Sequence, residues 1–451
     1  MQTTAAQQAT IKFNNRYILG ISFISALGGY LFGFDFAVIS GALPFLKTAF
    51  HLSSWWEGFL TGSLALGCIV GCLLAGKLAD RYGRRPGLMI AAGIFAISSV
   101  GMALSPGLTV FVLMRFCAGI GVGMASMLSP MYIAEISPAH MRGRNVAINQ
   151  LTIVTGILIT NLVNYLLADM HEAWRWMFGL GLIPSLLFLV GVVFLPESPR
   201  WLISIGQTAK AVGILTKIGS EEFAQTTVAA IGESNQKKNQ SFSAVFSKGV
   251  RAAVVIGITL AVFQQLCGIN VVFNYTSTIF KSVGANLNHQ LFETVAIGIV
   301  NLLFTVIAMW QVDKLGRRPL MLAGSIGLAV SYVILAWLLK SHAPMIWISV
   351  FVLLPIALYA TSLAPVTWVL ISEIFPNNIR SAASSVAIVS LWIAYFILVF
   401  TFPILAEHLG TYGPFYLYAG ICFLGYLFIK SRVKETKGQT LEQLEHNFTG
   451  H

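Results

Sequence analysis

Two charged residues stand well inside apolar stretches of this 451-residue chain, Asp35 and Arg115. A carboxylate and a guanidinium are costly at such depth unless they meet. Of the two, only the acid can change its charge, because a guanidinium stays protonated. Asp35 is therefore a candidate proton carrier, with Arg115 holding its ionised form. A movement that parted them would favour proton uptake by Asp35. A static structural pair is the alternative.

A second set is uncharged. Gln150, Gln264, Gln265, Asn270 and Asn301 fall within apolar stretches, as do Trp368 and Trp392. A carboxamide both donates and accepts without a charge to desolvate. An indole adds a flat apolar face and one N–H. Together they suit a neutral solute rich in hydroxyl groups. Hydrogen bonding between helices uses the same residue types, and for each residue alone that reading stays open. The order Gln264, Gln265, Gly268, Asn270 predicts a helix that loosens at Gly268, where freed backbone can line a cavity.

The elements that must position these groups are membrane spans. The chain is 56% hydrophobic and only 10% charged, against roughly 25% charged residues in soluble domains. Apolar runs lie near 17–41, 57–77, 88–105, 108–132, 145–168, 174–195, 251–280, 290–311, 319–340, 345–372, 382–404 and 413–430. Each can cross a hydrocarbon core of ~30 Å as a helix. None shows the apolar–polar alternation of a barrel strand. The expected fold is an all-α membrane protein with 12 transmembrane helices.

Lys and Arg gather on one side of this layout: Lys12 and Arg16, Lys77 to Arg85, Arg142 and Arg144, the long middle loop, Lys314 to Arg318, Arg380, and the tail from Lys430. The opposite side keeps Lys47, Arg175, Lys281 and Lys340. Both termini are therefore expected in the cytoplasm. The net charge of +11 reads as a topology signal, which removes nucleic acid as a partner. Cys68, Cys72, Cys117, Cys267 and Cys422 all fall in apolar runs and read as small hydrophobes. The polar first residues lack the pattern of a cleaved leader, so the first run reads as a true span.

The chain repeats itself. Asp80-Arg81-Tyr82-Gly83-Arg84-Arg85 after the second run returns as Asp313-Lys314-Leu315-Gly316-Arg317-Arg318 after the eighth. Glu135-Ile136-Ser137-Pro138 with Arg142 returns as Glu373-Ile374-Phe375-Pro376 with Arg380, and Glu197 with Arg200 is echoed near Glu435. Such internal symmetry belongs to transporters that hold substrate between two repeats. The expected division is a six-helix half over 1–195, a linker over 196–250, a second half over 251–430 and a tail over 431–451. Short amphipathic helices are expected in the linker at 207–217 and 221–231. The repeated acids and bases (Asp80, Arg84, Arg85, Glu135, Arg142, Glu197, Arg200, Asp313, Arg317, Arg318, Glu373, Arg380 and Glu435) are expected to pair between helix ends as a cytoplasmic gate. Purely topogenic charge is the alternative.

These motifs, with Pro196-Glu197-Ser198-Pro199-Arg200 and Gln264-Gln265 before Gly268-Ile269-Asn270, resemble the sugar porters of the major facilitator superfamily along almost the whole chain. The run from Gly121-Val122-Gly123 through Ser129-Pro130-Met131-Tyr132 to Glu135 is most similar to bacterial xylose, galactose and arabinose proton symporters. The resemblance implies a monosaccharide:proton symporter working by alternating access. It gives sugar contacts to Gln150, Gln264, Gln265, Asn270, Asn301 and Trp368. It also agrees with proton coupling, since Asp35 ends a Gly-Phe-Asp sequence where animal facilitative glucose carriers have Asn. Three positions depart from it. Leu391 precedes Trp392 where the symporters offer Gln or Asn, Asn274 replaces a Tyr of the xylose symporter, and Ile157 replaces a Gln.

The expected partners are a monosaccharide, protons and the lipid bilayer, with the proton gradient as energy source, no cofactor and no metal. The expected location is a bacterial inner membrane, and the expected working unit a monomer. A facilitative uniporter remains the nearest alternative, decided by whether Asp35 titrates. A non-transporting sugar sensor would need an output domain, and a multidrug exporter a more apolar centre. An enzyme is not expected, as the eight histidines are scattered without ligand spacing.

Overall fold

The computed structural model describes residues 13–138, 140–236, 247, 250–375 and 380–437. Among them every regular element is a helix, and 12 are long and apolar enough to cross a membrane. These are spans one to six at Asn15–Phe50, Ser54–Tyr82, Arg84–Ala103, Leu108–Ile136, Arg142–Leu166 and Ala173–Val193. Spans seven to twelve are Arg251–Asn274, Leu287–Gln311, Arg317–Lys340, Met345–Ile371, Ala382–Leu409 and Gly413–Arg432. The face carrying the Arg-rich loops is called the basic face below, and the opposite one the far face.

Span one is longer than its apolar run. It continues through Pro44 to Phe50, and His51 ends it in the left-handed region at φ 48°. Leu43 and Leu46 are fully buried, so packing carries the helix past the Gly41–Pro44 sequence that reads as a stop. Asp35 consequently lies roughly 22 Å from that helix end.

Span seven is broken where the sequence expects. Helix Arg251–Leu266 ends before Gly268, at φ 89°, and Ile269–Asn274 and Thr276–Ser282 follow. A Cβ at Gly268 would stand 2.6 Å from the Tyr418 ring, so both the backbone and the contact require glycine. Span ten also breaks, at Ser362, and span six breaks at 180–181. Neither break is expected from the apolar runs, which stay unbroken across both places. In the linker, helices Thr208–Ile218 and Glu221–Gln236 match the two amphipathic stretches. A third helix, Pro199–Ser204, precedes them. Ser198 accepts from the Trp201 N–H as its N-cap and Pro199 opens its first turn.

Small residues let the spans that carry the charged pair approach closely. Gly67 and Gly71 of span two lie against the carbonyls of Phe116 and Ile120, while Gly119 and Gly123 of span four lie against those of Leu64 and Cys68. Each helix thus presents small residues four apart to the other's backbone. This crossing seats Arg115. Gly33 of span one, two residues before Asp35, sits equally close to the Ile153 carbonyl of span five. Several contacts between the first six spans and the last six lie toward the far face. Gly58 meets the Phe400 carbonyl, Ser277 Oγ donates to Ser40 O at 2.9 Å, and Asn161 Nδ2 donates to Thr294 O at 2.7 Å.

Candidate functional site

Asp35 and Arg115 meet. Arg115 Nη1 is 3.4 Å from Asp35 Oδ2 with both side chains fully buried. Arg115 Nε donates to Leu60 O at 3.2 Å, and its guanidinium lies 5.9 Å from the Phe178 ring centre. Among the described residues, both carboxylate oxygens and both terminal guanidinium nitrogens lack a hydrogen-bond partner. A buried ion pair offsets its desolvation only when its remaining polar atoms are satisfied. This pair is held in contact at full burial, where each charge depends on the other.

The amides of span seven form a connected row. Gln264 Nε2 donates to Ala364 O at 3.5 Å, Gln265 Nε2 to Gln264 Oε1 at 3.3 Å, and Asn270 Nδ2 to Gln265 Oε1. Breaking the helix at Gly268 allows this, since Asn270 reaches back across the break to Gln265. All three amides are buried, as is Asn301 of span eight. Gln150 of span five is half-buried. Trp392 is buried, 5.8 Å from the Phe32 ring and 5.7 Å from the Tyr395 ring, which ties span eleven to span one. Trp368 is 44% exposed, so it is not packed among the buried amides. Of the three departures, Asn274 proves to be connected: its Nδ2 donates to Asn270 O at 2.7 Å and to Tyr395 Oη at 3.0 Å. Ile157 and Leu391 are buried hydrophobes.

Among the described residues, the basic-face motifs fold into one Arg–Glu clamp and two matching carboxylate caps. Expected pairing of Glu135 with Arg142 is replaced by a two-pronged bond from Arg84, whose Nε and Nη2 each lie 3.0 Å from a Glu135 oxygen. Arg84 opens span three beside the end of span four, and its planar fork matches a carboxylate. Arg142 donates instead to Ala134 O at 3.1 Å. Asp80 is 3.6 Å from Arg84 and mostly exposed, so it adds little. Ser198 Oγ also donates to Glu135, and Arg200 is exposed. Glu197 accepts the backbone N–H groups of Arg84, Arg85 and Ser198. Glu435 accepts those of Arg317, Arg318 and Thr436. Each carboxylate therefore caps the first turn of a span from a distant segment. The side chains of Asp313, Glu373 and Arg380 lie outside those described.

The two caps differ in burial. Desolvation holds the Glu197 carboxyl above its ordinary range despite its backbone bonds. Desolvation is weaker at Glu435, where backbone N–H groups, that of Lys437 included, bring the carboxyl below that range. A carboxyl lowered on folding stabilises when ionised, so the Glu435 contribution is lost as pH falls through its folded value. Both caps need the glycine before them. A Cβ on Gly83, at φ 100°, would stand 2.2 Å from Glu197 Oε2. Gly83→Ala is therefore expected to displace Glu197 and lower the thermal midpoint in detergent by several degrees; an unchanged midpoint would show that the cap contributes nothing.

Glu57 escaped the sequence reading. In the first turn of span two, it is buried, with Lys47 Nζ 2.6 Å away and accepting from Thr278 Oγ1 at 3.4 Å. It links spans one and two to the broken span seven at the far face. The signal was Lys47, one of few bases on that side, with an acid ten residues on. Lys47→Ala leaves Glu57 buried and unpaired, which costs about 3–5 kcal/mol. Maleimide labelling of a cysteine placed at Ser277 should then quicken at least ~10-fold as the face loosens; unchanged labelling would remove Glu57 from the closure.

Twelve helical spans with a buried acid–base pair and a buried row of amides define a polytopic membrane transporter of the major facilitator fold. The model of the sugar (and other) transporter family matches residues 21–448. The chain belongs to that family. It is 40% identical over 473 residues to the D-xylose-proton symporter of Escherichia coli, covering 96% of each chain. It is 38% identical over 442 residues to the arabinose-proton symporter of Bacillus subtilis, covering 95% of this chain and 94% of the other. Among solved structures, the inward-open xylose transporter of Escherichia coli superposes with a TM-score of 0.86 at 38% identity, over 96% of this chain and all of the other. The same transporter bound to 6-bromo-6-deoxy-D-glucose gives 0.83 at 40% identity, over 97% of this chain and all of the other.

Proposed function

We propose that this chain is a monosaccharide:proton symporter of a bacterial inner membrane, working by alternating access. The observation that carries the reading is the fully buried Asp35–Arg115 contact, set beside the amide row of span seven. Asp35 takes up and releases the proton, while Arg115 stabilises its ionised form. Gln264, Gln265, Asn270, Asn301, Gln150 and the indoles of Trp392 and Trp368 bind the sugar hydroxyls and ring face. The first half (1–195) and the second (251–430) are the two rocking units, joined by the linker (196–250). The basic face is cytoplasmic. There the Arg84–Glu135 clamp keeps the helix ends of the first unit together. Each chain carries the whole residue set, which supports a monomer.

Relatives named for xylose, arabinose and glucose set the sugars to try. Purified protein in proteoliposomes is expected to accumulate labelled xylose, glucose or galactose above the outside concentration when an inward proton gradient is imposed. Equilibration alone, indifferent to the gradient, would make the protein a uniporter and the Asp35–Arg115 pair structural.

A further inference from the structure

The proton pair belongs to the first six spans and the amide row to the last six, so coupling needs a group that feels both. Tyr395 of span eleven stands between them. Its ring packs against Phe36, the neighbour of Asp35, at 5.2 Å. Its hydroxyl accepts from Asn274 Nδ2 at 3.0 Å, and the same nitrogen reaches Asn270 O. Tyr395 and Asn274 are both buried, and Asn274 Oδ1 has no hydrogen bond. Phe32 and Phe36, which flank Asp35 along span one, pack against Trp392 and Tyr395 of span eleven. Among the described residues, no acceptor takes its proton.

We propose that Tyr395 is the positioning residue that transmits the charge state of Asp35 to the sugar site. The electrostatics are simple. With Asp35 ionised, the pair is net neutral, and the field at Tyr395 is that of a compact dipole. With Asp35 protonated, Arg115 is left as a single positive charge. That charge favours a phenolic O–H pointing away from it, toward Asn274, whose Oδ1 has no hydrogen bond; the amide turns over to accept the O–H and frees its Nδ2. A donor is thereby presented to the sugar only when the proton is bound. Linkage then requires that sugar raise proton affinity by the same factor. No covalent step is involved.

This inference rests on the symport reading, and the test separates the two. Sugar affinity is measured through tryptophan fluorescence of full-length protein in detergent, from pH 5 to pH 9, for wild type and Tyr395→Phe. Wild type should bind xylose or glucose more tightly at low pH, by about tenfold across the range, an ordinary size for coupling between sites. Tyr395→Phe keeps the ring on Phe36 and should flatten the dependence, with proteoliposomes still exchanging sugar but accumulating little. A pH dependence equal to wild type would overturn the role of Tyr395 while leaving symport intact. A wild type that binds equally at every pH would overturn both. Should Tyr395→Phe lose binding outright, Asn274→Leu decides, since it removes the amide and keeps the hydroxyl. A flattened profile there upholds the relay, and an unchanged one overturns it.

Discussion

Asp35→Asn is expected to abolish proton-driven accumulation and leave sugar-for-sugar exchange in place. Asn has the shape of protonated Asp and cannot ionise, so the variant stays in one charge state throughout the cycle. It leaves Arg115 buried without a counter-charge, a change that costs about 3–5 kcal/mol when one partner of a buried pair is removed. Protonation of Asp35 in the wild-type cycle creates the same unpaired guanidinium, so the carrier must already tolerate it in one state. The cost should appear as a lowered thermal midpoint and a shifted conformational equilibrium. Proteoliposome accumulation ratios are expected to fall to about one, whatever gradient is imposed; a ratio equal to wild type would place the proton elsewhere. Arg115→Ala should behave differently. It takes away the cation beside Asp35, which leaves the acid neutral, so proton release fails and exchange is again favoured over net transport.

The second large effect belongs to the amide row. Gln265 is its middle member, donating to Gln264 Oε1 and accepting from Asn270 Nδ2. Gln265→Leu fills the same space and leaves both neighbours without that partner. Each buried polar group left unpaired costs about 1–3 kcal/mol. If the row binds sugar, affinity for xylose or glucose should weaken roughly 100-fold, as read by equilibrium binding on protein that remains folded. A change under about threefold, with a lowered melting point, would assign the row to helix packing.

The spans were legible because membrane burial writes itself as long apolar runs, and the break in span seven because Gly268 stands between paired amides. Span one was misjudged at its end, where Gly41 to Pro44 reads as a stop although buried Leu43 and Leu46 continue the helix. Breaks in spans six and ten left no mark, since Leu180-Gly181 and Thr361-Ser362 sit inside unbroken apolar sequence. Facing of Asp35 toward Arg115 could be argued from burial cost alone, whereas their depth could not. On the basic face, the sequence assigned one partner wrongly. Arg84 and Arg142 are both near Glu135 in order along the fold, and only the packing of span three against span four chooses between them. Glu57 and Tyr395 went unread for a common reason. Each meets the other set of spans, Glu57 through Thr278 and Tyr395 through Phe36, and no spacing in the sequence marks those contacts.

Symport itself is tested most directly by protons that move with sugar. Lightly buffered proteoliposomes at equal internal and external pH receive xylose or glucose outside, and external pH is followed. Alkalinisation on sugar addition, abolished by Asp35→Asn, is the expected result. Sugar entry with no change in pH would contradict proton coupling through Asp35.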